Sequence, residues 1–172
     1  MTALVVHESH WGNTRAVARA IADGLSDSDG GPVQVVDVGS APSPLPDGVD
    51  LVVLGGPTHA FSMSRPATRH DAHDRGAEPG HEGRGIREWL ATLPAGGPRC
   101  SVATFDTRAE QVRRLPGSAA RSAARFVSRH RLGRMVATES FYVEDSPGPL
   151  VDGELERARA WGRALASGVR RP

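Results

Sequence analysis

Lysine is absent from this sequence. All 21 basic residues are arginine, so ammonium-based phosphate clamps and lysine Schiff bases are excluded from its chemistry. Cysteine occurs once, at Cys100, which rules out an intramolecular disulfide and fits a reducing compartment. Long hydrophobic runs are missing too. The first apolar run is only Ala3–Val6, too short for a signal segment, and no stretch approaches transmembrane length. A cytoplasmic protein with no membrane partner is expected. Neither sign of charge dominates: the formal net charge is +1, which argues neither for nucleic acid nor for an acidic surface.

What is present is a chain of 172 residues, 38% hydrophobic and 24% charged, long enough to bury a core and expected to form a single domain over 1–172. Short apolar runs at Ala3–His7, Val33–Val38, Leu51–Gly55, Cys100–Thr104 and Val136–Val143 read as strands. Helical periodicity marks Asn13–Leu25, Gly85–Leu93, Ser118–His130 and Asp152–Ser167, the last with Asp152 as its expected N-cap. Strands alternating with helices imply α/β architecture: a three-layer sandwich whose five-stranded parallel sheet has helices on both faces. Right-handed crossovers and the strand count point to the order 2-1-3-4-5, with its switch point between strands 1 and 3. The segment 39–50 holds three prolines and is expected to form a loop in place of a helix.

Ligands of such sheets lie at the carboxyl ends of the strands. The first loop there, Ser9-His10-Trp11-Gly12-Asn13-Thr14, opens a helix. Two hydroxyls, an amide, a glycine and the unpaired first-turn N–H groups suit a phosphate monoester held by uncharged donors. An ordinary strand-to-helix turn capped by Asn or Thr is the competing reading. A Walker loop is excluded by the missing lysine, and a dinucleotide fingerprint by the missing glycines. The second loop, Gly55-Gly56-Pro57-Thr58-His59-Ala60-Phe61, stops a central strand sharply and puts flat side chains at its rim. The third, Thr104-Phe105-Asp106-Thr107-Arg108, adds an aromatic, two polar groups and a cation.

With S-x-x-G-N-T at 9–14, G-G-P-T-H-A-F at 55–61 and T-F-D-T-R at 104–108, nearly the whole chain resembles the flavodoxin family, and in particular its small bacterial members with a G-G-P-T-H-A-F loop. The resemblance implies non-covalent FMN and electron transfer to a redox partner protein or a small-molecule acceptor, in a monomer or homodimer. Ser9, His10, Trp11, Gly12, Asn13 and Thr14 would then form the phosphate loop. Pro57, Thr58, His59, Ala60 and Phe61 would form the first isoalloxazine loop, and Thr104, Phe105, Asp106, Thr107 and Arg108 the second. The chain departs from the family in two ways: Trp11 stands where a middle hydroxyl is usual, and the net charge is not acidic.

No glycine follows Pro57 before Gly76, so a peptide flip to positive φ costs on the order of 1 kcal/mol anywhere in that loop. With Arg65, Arg69 and Arg108 on the flanking loops, a flavin reduced mainly by two electrons is expected. That keeps an NAD(P)H:quinone-type oxidoreductase as a second reading. A flavodoxin-fold binding protein that has lost the flavin, with Trp11 filling the phosphate loop, is a third. The stretch 69–84 gathers His70, His73 and His81 with four carboxylates but matches no metal signature, and a solvated loop is expected there. Arg121, Arg125 and Arg129 make a basic helical stripe, read as a solvated face or as a contact for an acidic redox partner.

Overall fold

The computed structural model describes residues 1–29, 31–79, 83–96 and 100–169. Its strands are β1 (Ala3–His7), β2 (Val33–Asp37), β3 (Leu51–Pro57), β4 (Ser101–Ala109) and β5 (Arg134–Val143). They pair in parallel in the order β2-β1-β3-β4-β5, as the alternation of elements predicts. Helices α1 (Asn13–Asp29) and α5 (Glu154–Val169) cover one face, and α3 (Ile86–Thr92) and α4 (Ala119–His130) the other. Strands covered on both sides need apolar residues at successive positions, which is why β1 and β3 read as near-continuous hydrophobic runs. Leu4 and Val6 join Val52, Leu54, Trp89 and Val127 in one core, while Val5 joins Ile21, Val53, Phe105 and Phe141 in the other. Each such fully buried side chain contributes about 1.5–3 kcal/mol of transfer free energy.

The register sets the depth of the site. His7 pairs with Gly55, and Pro57 with Thr107, so β3 runs past the end of β1 and β4 past the end of β3, and the three ends form a stepped edge on one side of the sheet. The long connection between β3 and the next covering helix is not wholly irregular: α2 (Pro66–Asp74) lies inside it. Pro66 occupies the first turn, and Thr68 Oγ1 accepts the Arg65 amide at 2.9 Å, which together start the helix. Residues 39–50 do form the expected loop after a short 3-10 turn, seating Ala41 and Leu45 against the core.

Several element boundaries differ from expectation: α1 runs on to Asp29, β3 to Pro57, and β5 starts at Arg134, while the ends of β4 and α5 have a clear cause. β4 continues five residues past Thr104, because β5 pairs with it as far as Ala109 and keeps the polar strand end inside the sheet. α5 starts at Glu154 instead of near Asp152. The Glu154 carboxylate accepts the Tyr142 amide at 2.8 Å and pairs with Arg157, tying the helix start to β5. His81 and Glu82 of the histidine-rich stretch lie outside the described residues. Among the described residues, no helix is long and apolar enough to cross a membrane.

α1 and α5 touch backbone to backbone. A Cβ on Gly24 would stand 2.0 Å from the Arg159 carbonyl oxygen, and one on Gly162 would stand 2.2 Å from that of Ile21. Gly168, also in α5, has nothing within 4 Å of such a Cβ. Gly162→Ala is therefore expected to lower the unfolding free energy measured in urea by about 1–3 kcal/mol through overpacking, despite the better helix propensity of alanine. Gly168→Ala is expected to raise stability by up to about 1 kcal/mol. Equal effects of the two substitutions would show that the contact does not constrain the helices.

Candidate functional site

The turn from β1 into α1 is organised by a buried acid. Glu8 is 2% exposed; its Oε1 accepts from His10 Nε2 at 3.0 Å, and its Oε2 accepts the Ile86 amide at the start of α3 at 2.9 Å. Burial by itself would raise this carboxyl, but hydrogen bonds from His10, Ser64 and the Ile86 amide hold it below the ordinary glutamate value. Gly12 takes φ +81°, a left-handed conformation that turns the chain into the helix. Ser9 Oγ accepts the Arg15 amide at 3.2 Å, which leaves the hydroxyl proton to donate. Thr14 and Thr107 share one hydrogen bond at 2.7 Å, so one of their two hydroxyl protons is likewise left for a ligand. Asn13 donates its side-chain amide to the Pro147 carbonyl, and Arg15 forms a two-pronged pair with Glu78.

At the end of β3, the Thr58 amide bonds to the Thr107 carbonyl, and Thr58 Oγ1 accepts the Ala119 amide at the start of α4. His59 and Ser62 exchange backbone hydrogen bonds across a two-residue turn. Its central residues, Ala60 and Phe61, both have positive φ, 46° and 62°, the type I′ geometry that normally calls for Asn-Gly. Non-glycine residues held there cost about 1–2 kcal/mol each. The His59 ring stands 5.3 Å from that of His10. Burial, and then the neighbouring His10, push the His59 pKa below its ordinary value.

The third predicted loop divides between strand interior and site. Because β4 runs on to Ala109, Thr104, Phe105 and Asp106 are strand residues with no exposure. Thr104 bonds to Thr138, and Phe105 meets Phe141 edge-on at 6.3 Å inside the core instead of walling a ligand. Asp106 accepts the Ala120 amide at 2.8 Å and so helps cap α4. Burial raises its pKa against the hydrogen bonds of Ser118, Ala120 and Ser140. Thr107 and Arg108 do reach the site. Arg108 is 5% exposed; its guanidinium holds the carbonyls of Val112 and Leu115, while its buried Nε has no hydrogen-bond partner.

These side chains border a solvent-open cleft whose enclosed volume is about 60 Å³. His10, Trp11, Asn13 and Thr14 contribute from the first loop, Pro57, Thr58 and His59 from the second, and Thr107 and Arg108 from β4. Ser9 lies beneath them, and Phe61 points outward with 48% exposure. A second cleft of about 230 Å³ adjoins the first across Trp11, Thr58, His59 and Ser146, and includes Ala60, Asp71 and Arg75. Sequence reasoning did not find Glu8, the α2 wall, or Val143 and Ser146. The Pro/Gly-rich run 145–153 after the last strand was a signal for the last of these. Chemically, the cleft offers uncharged donors and a helix N-terminus at one side and flat rings at the other. It suits a molecule with an anionic end and a planar end.

The buried Glu8 carboxylate makes a testable contribution. A depressed carboxyl pKa stabilises the fold above the unfolded value of 4.5, and that contribution is lost as pH falls through the lowered folded value. Glu8→Gln is expected to cost about 3 kcal/mol at pH 7, with the deficit shrinking below the unfolded value. Urea unfolding across that range measures it; a deficit independent of pH would assign Glu8 a purely steric role.

No protein-family model and no curated protein matches the chain. Solved structures do. A flavodoxin from the domain Archaea superposes with a TM-score of 0.65 at 18% identity, covering 99% of this chain and 100% of that one. A flavodoxin, WrbA-like protein from Agrobacterium tumefaciens gives 0.60 at 18% identity over 98% and 97%. Oxidised Flavodoxin 2 from Bacillus cereus gives 0.59 at 18% identity over 97% and 99%. The chain therefore has the flavodoxin fold along almost its whole length.

Proposed function

We propose that the protein binds FMN at the cleft and acts in electron transfer. One observation carries the reading: the register of β1, β3 and β4 makes the uncharged donors of the first helical turn and the His10–His59 ring pair open onto the same space. The residues fit the group. Arg108 borders the cleft, and its buried Nε has no hydrogen-bond partner. Trp11 is half-buried and borders both clefts without filling either, which weakens the reading in which the fold has lost its flavin.

In this reading the Ser9 hydroxyl, the Asn13 and Thr14 amides and the spare proton of the Thr14–Thr107 pair hold the terminal phosphate. Pro57, Thr58, His59 and Ala60 flank the ring. Bound FMN supplies reversible redox chemistry by one or two electrons. The chain supplies orientation and field: of the three arginines expected on the flanking loops, only Arg108 borders the cleft. Arg65 is exposed at the start of α2, and Arg69 is buried between Ser64 and Glu88. The second cleft favours a further possibility for the same site, an oxidoreductase of the NAD(P)H:quinone type, because it leaves room beside the ring for a second planar molecule.

Two measurements test these statements. Protein mixed with FMN and freed of excess should keep oxidised-flavin absorption that heating releases. Ser9→Ala should bind about fivefold more weakly, the loss of one neutral hydrogen bond of about 1 kcal/mol. Protein that stays colourless in excess FMN overturns the reading. On anaerobic photoreduction, the Arg108 charge should make the flavin bands bleach in a single step. Long-lived absorption at longer wavelengths than the oxidised bands would contradict the expected two-electron behaviour.

A further inference from the structure

The charge of this chain is unevenly placed. Between Ala109 and Arg131 there are six arginines and one carboxylate, Glu110, although the whole molecule carries only +1. This segment is therefore at +5 and the remainder at −4. Arg113 and Arg114 are exposed on the loop after β4, and Arg121, Arg125 and Arg129 are exposed along one face of α4. That face adjoins the strained turn beside the cleft. Ser62 donates to Ser122 on α4 at 3.1 Å, and Arg125 bonds to the same Ser122 hydroxyl. A Cβ on Gly117 would lie 2.9 Å from the Phe61 carbonyl oxygen, so the arginine-bearing loop lies against the turn.

At the junction stand two of the few large apolar side chains left in solvent: Phe61 at 48% exposure and Leu115 at 46%. Neither is loosely held. Phe61 occupies a positive-φ position that costs about 1–2 kcal/mol, and Leu115 has its carbonyl pinned by the Arg108 guanidinium. Strain that turns an aromatic outward beside a ligand cleft marks a functional surface more often than an accident of packing. An apolar centre with a charged rim is also the anatomy of a protein interface.

We propose that Phe61 and Leu115, ringed by Arg113, Arg114, Arg121 and Arg125, form the docking surface for an acidic electron-transfer protein. The arginines steer the encounter and set its orientation, and the two apolar side chains make the close contact. The partner is then seated against the turn whose His59 borders the cleft. The redox part of this proposal rests on the FMN reading; the docking part does not.

The test is an NMR titration of the ¹⁵N-labelled protein, with and without FMN, using an acidic [2Fe–2S] ferredoxin as probe and the basic protein cytochrome c as control. Shifts are expected at 109–131 and around Phe61 with ferredoxin only. Affinity should fall about tenfold as ionic strength rises from about 0.01 M to about 0.15 M, where the screening length is about 8 Å. The double variant Arg121→Glu with Arg125→Glu should abolish the shifts, and Arg113→Glu with Arg114→Glu in the loop should weaken them, both with an unchanged thermal midpoint. Shifts at another face, equal binding of cytochrome c, no response to charge reversal, or equal binding of a DNA duplex to the same residues would each overturn the proposal. Docking that persists in protein unable to take up FMN would uphold the surface and reject the cofactor reading instead.

Discussion

Much of the site hangs on the carboxylate of Glu8. It sits one residue past β1, out of water, and reaches both the first turn of α3 and the ring of His10. A buried carboxylate leaves a heavy desolvation cost unless its oxygens are satisfied, so its partners are not free to move away. His10 is thereby fixed in tautomer and orientation, His59 lies against it, and the turn bearing His59 is held in place. Gly85, just before α3, permits this closeness, since a Cβ there would lie 2.7 Å from Glu8 Oε2. The wall of the cleft is thus set by a charge that does not itself border it.

The opposite side of the cleft works by other means. Hydroxyls and helix-end amides keep their geometry through bonds to neighbouring backbone, as Ser9 does with Arg15 and Thr14 with Thr107. Neutral donors each contribute about 1 kcal/mol, less than a charged clamp would. Their oxygens are fixed by the protein itself, which orients the protons that remain free to donate. The same economy holds for Arg108, whose guanidinium braces the loop to Leu115 while one buried nitrogen still borders the open space.

The sheet order was legible because apolar runs alternate with periodic helices and handedness removes most alternatives. Residues 9–14 and 57–59 were legible as strand-end loops because glycine, proline and hydroxyls interrupt those runs, and the structure brings His10, Trp11, Asn13, Thr14 and 57–59 to one cleft. The segment 104–106 was misread for the same reason: T-F-D looks like strand-end punctuation, yet β5 pairs beside it, and Asp106 serves as a cap for α4. Glu8 carried no local signal at all, since its meaning comes from Ile86, far along the chain. Helix α2 was hidden by weak amphipathicity, its start marked only by Pro66 and Thr68. The close approach at Gly24 and Gly162 depends on a helix crossing that no single-segment pattern encodes.

That crossing has a bearing on how the molecule is made. The helix whose first turn forms one end of the cleft rests its backbone on a helix that ends at Val169. Contacts between segments so distant in sequence form only after the intervening loop entropy has been overcome. During synthesis, then, the strand and turn that emerge first must wait for the last helix before they have their final support. A nascent chain arrested anywhere short of α5 would have the turn from β1 into α1 without its anchor.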